Sequence, residues 1–212
     1  MKLQNHRREY LKAGLRRHQL NSDPILQFEA WMQQAIDAEL SDPTAMTLAT
    51  INAQGQPSQR IVLLKHVDHR GFVFFTNKNS HKGQAMVQNP NVSLHFPWYP
   101  LERQIKIMGQ VELLGDNEVA EYFASRPKES QLAAWASEQS RVIPSRDYLL
   151  EKYQDLKAQY ENNDIPLPDF WGGYRVTPAL IEFWQGGEHR LHDRFEYTRQ
   201  DDSCWKIQRL AP

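Results

Sequence analysis

Residues 46–77 hold three β-type segments in quick succession: Met46-Thr47-Leu48-Ala49-Thr50-Ile51, Gln59-Arg60-Ile61-Val62-Leu63-Leu64-Lys65 and Gly71-Phe72-Val73-Phe74-Phe75-Thr76-Asn77. The first two flank the turn run Asn52-Ala53-Gln54-Gly55-Gln56-Pro57. Downstream, Asn91 to Phe96 is a fourth segment. Arg103 to Leu113 alternates most clearly, with Ile105, Ile107, Val111 and Leu113 on one face and Gln104, Lys106, Gln110 and Glu112 on the other. Gly172 to Val176, Ile181 to Trp184 and Trp205 to Ile207 continue the pattern. Upstream, Ile25, Phe28, Trp31, Met32, Ile36 and Leu40 recur at helical spacing over residues 24–40, and Asp42-Pro43 ends that helix. Further helices are expected at Ser80 to Gln88, Asn117 to Arg126, Lys128 to Ser137 and Ser145 to Asn162. Short strands separated by turns, with helices inserted at about 115–162, predict a mainly β fold. A closed or split β-barrel with flanking helices fits best. Strict βαβ alternation is absent, which argues against a doubly wound sheet. The expected organisation is one domain over 21–212, preceded by a mobile basic arm over 1–20.

Composition bounds the function. The 212 residues are 40% hydrophobic, enough for a real core, and the formal net charge is −1. So mild a charge does not suit a nucleic-acid partner. The single cysteine, Cys204, allows no intrachain disulfide and no CxxC pair. No apolar run approaches the roughly 18 residues that a membrane helix needs, and no apolar leader follows Met1. A soluble cytoplasmic protein is expected. The arm carries Lys2, Arg7, Arg8, Lys12, Arg16 and Arg17 against Glu9. It reads as a solvated segment, as one that closes over an anionic site with Arg7 and Tyr10 on one side, or, most weakly for want of a second basic cluster with interleaved aromatics, as a nucleic-acid arm.

Charge clusters mark candidate sites. If Arg190, His192 and Arg194 lie on a strand, their spacing of two puts them on one face, with Leu191 and Phe195 on the other. Such a row needs an anionic or electron-rich group opposite. His189-x-x-His192 is a weak metal pattern, and the flanking arginines repel a cation, so no metal is expected. Nucleotide-type glycine loops are missing, so side chains must hold any phosphate. Arg60, Lys65, Ser80 and Lys82 form one candidate set, the last two at a helix N-terminus. Arg60 and Lys65 fall on opposite faces of a regular strand, so they serve two ligands or a bulge intervenes. Tyr122 and Arg126 lie one helical turn apart, and Ser130 opens the helix after Pro127, giving a second phosphate grip. Spacing alone does not say whether the two sets converge.

Several ordered blocks resemble the FMN-dependent pyridoxine/pyridoxamine 5′-phosphate oxidase family. They are Arg7-Arg8-Glu9-Tyr10, Asp42-Pro43-Thr44-Ala45-Met46, Gln59 through Lys65, Phe96-Pro97-Trp98, Ser125-Arg126-Pro127, Phe170-Trp171-Gly172-Gly173, Phe183-Trp184-Gln185-Gly186 and Arg190-Leu191-His192-Asp193-Arg194. The ending Trp205 through Pro212 matches too. The resemblance implies a split-barrel homodimer with FMN at the subunit interface. It implies oxidation of pyridoxine 5′-phosphate and pyridoxamine 5′-phosphate to pyridoxal 5′-phosphate. Hydride would pass from C4′ to flavin N5, with O2 as acceptor giving H2O2. FMN would be held by Arg60, Ile61, Val62, Leu63, Leu64, Lys65, Phe75, Thr76, His81, Lys82, Gln104, Gln139, Ser140, Trp184 and Arg194. Lys65, Tyr122, Arg126 and Ser130 would meet the substrate phosphate, and Arg7 and Tyr10 would come from the arm. Arg190 and His192 would face the substrate ring as catalytic candidates, with Asp42 as a further polar partner. His81 departs from the family, which often has arginine there, so FMN would be held more weakly and would dissociate faster from pH 6 to pH 8.

Overall fold

The computed structural model describes residues 9–11, 14–201 and 204–212. Arg7, proposed for the arm, lies outside them. The first long element is α1 (Pro24–Asp37). Asp23 caps it by accepting the Ile25 amide, and Pro24 opens it at the first helical position. Its apolar stripe buries Ile25, Phe28 and Trp31. Phe28 meets Phe72 and Phe96 edge-on at 4.9 and 5.1 Å between centroids. Pairs of this kind are worth about 0.5–1.5 kcal/mol beyond area burial. Ile36, expected in the same stripe, is instead 49% exposed, while its neighbour Ala35 is fully buried and takes the core-facing position in that turn.

Nine strands among the described residues form one sheet: β1 (Ala45–Ile51), β2 (Pro57–Leu63), β3 (His66–Asp68), β4 (Gly71–Asn77), β5 (Asn91–Trp98), β6 (Arg103–Leu113), β7 (Trp171–Gln185), β8 (Asp193–Arg199) and β9 (Trp205–Leu210). The order along the main path is β2-β1-β5-β6-β7-β4-β3. Its two ends, β2 and β3, are separated in sequence by Leu64 and Lys65 alone. Three peptide units reach at most about 11 Å, so the sheet must curl until its ends meet. The seam shows this directly: the Leu64 amide donates to Thr44 at one end of the sheet, and the Lys65 amide to Val73 at the other. The expected mainly β barrel with flanking helices is therefore present, and Lys65 sits on the closure.

The barrel is split by β7. Its first half pairs with β4, and its second half, Leu180 to Gln185, pairs with β8. Between the halves stands Pro178, which lacks a ladder donor, and the β6 register shifts there at Met108/Gly109. This shift also breaks the simple alternation expected of Arg103–Leu113: Ile105 and Ile107 are fully buried, but Leu113 is exposed. Helices α2 (His81–Gln88), α3 (Asp116–Ser125), α4 (Lys128–Ala136) and α5 (Arg146–Gln159) complete the chain. The last three carry a second apolar cluster around Phe123, Leu132 and Ile165, with Trp171 of β7 packed against it. No helix among the described residues is long and apolar enough to cross a membrane.

Candidate functional site

The seam opens into a cavity of about 390 Å³. Ile61, Val62 and Leu63 of β2, Lys65, Phe75 and Thr76 of β4, and Lys82 of α2 line one side. Tyr122, Arg126, Pro127 and Ser130 line the other, with Gln139 and Trp171. The structure thus brings Lys65 and Lys82 of the first set into one cavity with Tyr122, Arg126 and Ser130 of the second, while Arg60 and Ser80 of the first set do not line it. It also answers the parity problem of Arg60 and Lys65: β2 ends at Leu63, so Lys65 does not belong to the strand that carries Arg60.

Lys82 is 9% exposed. Ser80 caps α2 by accepting the Gly83 amide, and the Lys82 ammonium folds back to Ser80 Oγ at 3.1 Å. It also donates to Thr76 Oγ1 at 2.9 Å and to Gln139 Oε1. All three acceptors are neutral, and no ion pair with a carboxylate forms among the described residues. Burial, and then the nearby Arg60 charge, push the Lys82 pKa down to about 8. Arg60 itself is held by Leu48 O, Thr50 Oγ1 and Ser58 Oγ at 2.8–3.0 Å. Burial lowers its pKa as well. A buried cation with only neutral partners is a site for an anion.

Arg126 makes the same statement across the cavity. Its guanidinium lies over Trp171 at 4.3 Å, and its buried Nη1 has no hydrogen-bond partner. Burial lowers its pKa, an effect partly opposed by Tyr122. Tyr122 stacks on Phe75 at 3.7 Å between centroids, and burial keeps its hydroxyl protonated and a donor. Ser130 lies in the first turn of α4. Leu64 points into the core, while His81 and Ser140 are exposed. Ser140 adopts a left-handed φ of 71° beside Gln139.

A second cluster lies elsewhere. Gln104, Trp184 and Arg194 form a row across β6, β7 and β8 by register. His192 packs on Trp184 at 4.6 Å, and Tyr10 meets Trp184 and His192 edge-on at 5.6 and 5.4 Å. Trp184 is twelve residues beyond Gly172, the partner of Thr76. That is a strand contour of about 40 Å, far longer than a mononucleotide.

The cationic strand face expected of Arg190, His192 and Arg194 does not form. Residues 188–190 make a tight turn, with positive φ at His189 and Arg190, and β8 begins only at Asp193. Leu191 donates to Glu188 O, and the Gly187 amide donates to His192 Nδ1 at 3.2 Å. Leu191 is consequently 71% exposed while Phe195 is buried, so the two do not share a face. Arg194 has its anion within the chain: its Nε donates to the buried Glu182 at 2.8 Å, and Lys106 pairs with the other oxygen at 2.6 Å. Burial raises the Glu182 pKa, but the hydrogen bonds from Arg194 and Lys106 outweigh it and hold the carboxyl below its usual range. Arg190 is exposed, and Asp42 is exposed in the turn before β1, lining neither cluster. No group of acidic, histidine or cysteine residues among those described could hold a metal.

The comparisons decide the family. The model for pyridoxamine 5′-phosphate oxidase matches residues 32–160. The chain belongs to the pyridoxamine 5′-phosphate oxidase family. A second model, the pyridoxine 5′-phosphate oxidase C-terminal dimerisation region, matches residues 171–212, so Trp184, Arg194 and the 186–193 turn fall in the dimerisation part of the family, while Gln104 falls in the first match. The pyridoxine/pyridoxamine 5′-phosphate oxidase of Vibrio cholerae serotype O1 is 60% identical over all of both chains. That of Pseudoalteromonas translucida is 57% identical over the same span. Among solved structures, PhzG from Burkholderia lata, in complex with tetrahydrophenazine-1-carboxylic acid, is 31% identical and covers 91% of this chain and 94% of its own, at a TM-score of 0.86. A pyridoxamine 5′-phosphate oxidase-related, FMN-binding protein of Nostoc punctiforme shares the fold at a TM-score of 0.72 and 14% identity.

Trp171 and Glu182 were not apparent from the sequence as parts of these clusters. Trp171 reads as an ordinary strand aromatic until Arg126 is seen to lie over it. Glu182 acquires its meaning only from the register that sets it between Lys106 and Arg194.

Proposed function

We propose that this chain is an FMN-dependent oxidase that converts pyridoxine 5′-phosphate and pyridoxamine 5′-phosphate to pyridoxal 5′-phosphate, with O2 as the final acceptor. One observation carries the reading: a buried Lys82 and a half-buried Arg126, whose Nη1 is buried and unpaired, face one cavity without an anionic partner among the described residues. Two phosphate-bearing ligands in one cavity fit this arrangement, and a flavin carrier would need only one grip. Arg60, Thr76 and Lys82 bind the FMN phosphate. Lys65, Tyr122, Arg126 and Ser130 bind the substrate phosphate, Arg126 through the guanidinium edge that has no protein partner. FMN, when bound, supplies the two-electron acceptor and the reactivity with O2.

The protein's own part is to hold, orient and exclude water. Gln104, Trp184 and Arg194 are too far along β7 to reach the same protomer's cavity, so in this reading they complete the cavity of the partner in a homodimer. The match of 171–212, which holds Trp184 and Arg194, to a dimerisation region supports this, and Gln104 pairs with Trp184 across β6 and β7. His192 accepts the Gly187 amide at Nδ1, so its neutral ring carries the proton on Nε2, free to donate to the substrate. Arg190 stands on the same turn. The arm brings Tyr10 against both His192 and Trp184.

The test is direct. The purified protein is examined for flavin absorbance, supplied with pyridoxine 5′-phosphate in air, and followed for pyridoxal 5′-phosphate and peroxide. A protein that takes up no FMN, or that holds FMN and forms no product, overturns the reading. The interface is tested by mixing Lys82→Met and Arg194→Ala chains. Each alone is expected to be impaired, while a mixed dimer regains one intact site of its two. Absence of regained activity overturns the shared site.

A further inference from the structure

The arm is held to the 186–193 turn by one carboxylate. Asp193 lies between His192 and Arg194, yet its side chain turns away from both clusters. Its Oδ2 accepts the Leu15 amide at 2.8 Å, and its Oδ1 pairs with Arg209 of β9. Arg209 in turn donates to Leu15 O at 3.2 Å and lies over the Phe195 ring at 4.4 Å. Leu15, Asp193 and Arg209 therefore close a ring of polar contacts, and the Leu15 side chain is buried in the main core. Two glycines make the fit possible. A Cβ on Gly14 would stand 2.7 Å from Asp193 Oδ2, and one on Gly186 would stand 2.6 Å from the Tyr10 ring. A second carboxylate, Glu102, accepts the Leu11 amide at 3.0 Å, while its own carbonyl accepts the Gly186 amide at 2.7 Å. The arm is thus fixed on both sides of the turn, and Tyr10 is set between Trp184 and His192.

We propose that Asp193 is a positioning residue, the latch through which Leu15 and Arg209 seat the arm so that Tyr10 packs His192 into its working orientation. The inference rests on the reading above that His192 and Tyr10 face the substrate. Breaking the latch frees the arm without touching the Lys82 cavity, so it acts on substrate binding and leaves FMN in place.

The experiment compares the full-length FMN-loaded protein with Asp193→Ala, Asp193→Asn and Gly14→Ala. Hydrogen exchange of the peptide spanning 9–20 is expected to quicken about tenfold in Asp193→Ala and Gly14→Ala, the worth of one hydrogen bond. Asp193→Asn keeps an acceptor for the Leu15 amide and should restore most of the protection. KM for pyridoxine 5′-phosphate is expected to rise about tenfold in Asp193→Ala and Gly14→Ala, with kcat changed less than threefold and flavin content unchanged. Gly14→Ala leaves Asp193 and Arg209 intact, so it carries the test if Asp193→Ala does not fold. Unchanged exchange in the variants overturns the latch, and faster exchange with an unchanged KM overturns its positioning role. A wild-type chain that never oxidises pyridoxine 5′-phosphate overturns the functional reading instead. The exchange measurement needs no turnover and judges the latch separately.

Discussion

Replacing Lys82 by methionine separates the cost of burying a cation from its value to a ligand. In the unliganded protein Lys82 has only neutral acceptors, and burial with the Arg60 charge sets its pKa at about 8, against 10.5 for a free lysine. A lowered lysine pKa means that the unfolded chain binds the proton more tightly. Folding stability should therefore rise as pH climbs from about 8 to about 10.5, and the burden is fully present below pH 8. Undiscounted, the displacement corresponds to about 3 kcal/mol. The cavity is open to water, so about 1–3 kcal/mol is the realistic range. Binding of the FMN phosphate runs the other way, because it needs the ammonium. Between pH 7 and 9 the protonated fraction of a group titrating near 8 falls about tenfold, so the Kd for FMN should rise about tenfold. The phosphate is already doubly ionised over that range and adds no titration of its own. Lys82→Met should weaken FMN binding at pH 7 by about 10–100-fold, the value of a charged hydrogen bond. It should also stabilise the apoprotein near pH 7 and abolish both pH trends. Quenching of flavin fluorescence on titrating apoprotein, with chemical denaturation of the same samples, measures the two quantities. A Kd that stays flat from pH 7 to 9 in the wild type, or Lys82→Met binding FMN as tightly as wild type, refutes the reasoning.

Arg126→Met keeps the stacking volume over Trp171 and loses the charge. It is expected to lower kcat/KM for pyridoxine 5′-phosphate about 10–100-fold, mainly through KM, while FMN affinity stays within a few-fold; steady-state kinetics and flavin titration check this. Glu182→Gln leaves Arg194 and Lys106 without their shared carboxylate and should cost about 1–3 kcal/mol, less than for a wholly buried pair because both cations are partly in water. Because the Glu182 pKa is held below its usual 4.5, its stabilisation is present above about pH 4.5 and lost as pH falls through the lower folded value; denaturation curves of the variant should lack that acid loss. His81→Arg adds a permanent charge at the exposed start of α2 and should tighten FMN binding a few-fold; a flavin titration showing the variant and wild type with equal affinity removes His81 from the site.

What the sequence determined by itself was local, or carried by ordered blocks. Periodicity of 3.6 placed α1 and the inserted helices, and alternation placed β6, because each reflects which side of an element meets the core. The blocks from Gln59 to Lys65 and from Phe183 to Arg194 carried the family, since a run of specific residue types needs no tertiary information to be matched. Spacing failed at Arg190 and His192. The period-2 reading assumes a strand, and a glycine pair with two left-handed residues turns the chain there. Leu113 failed because the register shift at Met108/Gly109 breaks the alternation of β6, and Ile36 because the buried side of α1 in that turn is taken by Ala35. Long-range facts were decided only by the tertiary structure. Whether Lys65 and Lys82 meet Tyr122 and Arg126 depends on the curl of the sheet, which the two-residue link from β2 to β3 imposes. Whether Arg194 has its anion within the chain depends on the register of β7 with β6 and β8, which a one-residue slip would reverse. The latch of Asp193 on Leu15 joins residues 178 positions apart, a contact that no local rule encodes.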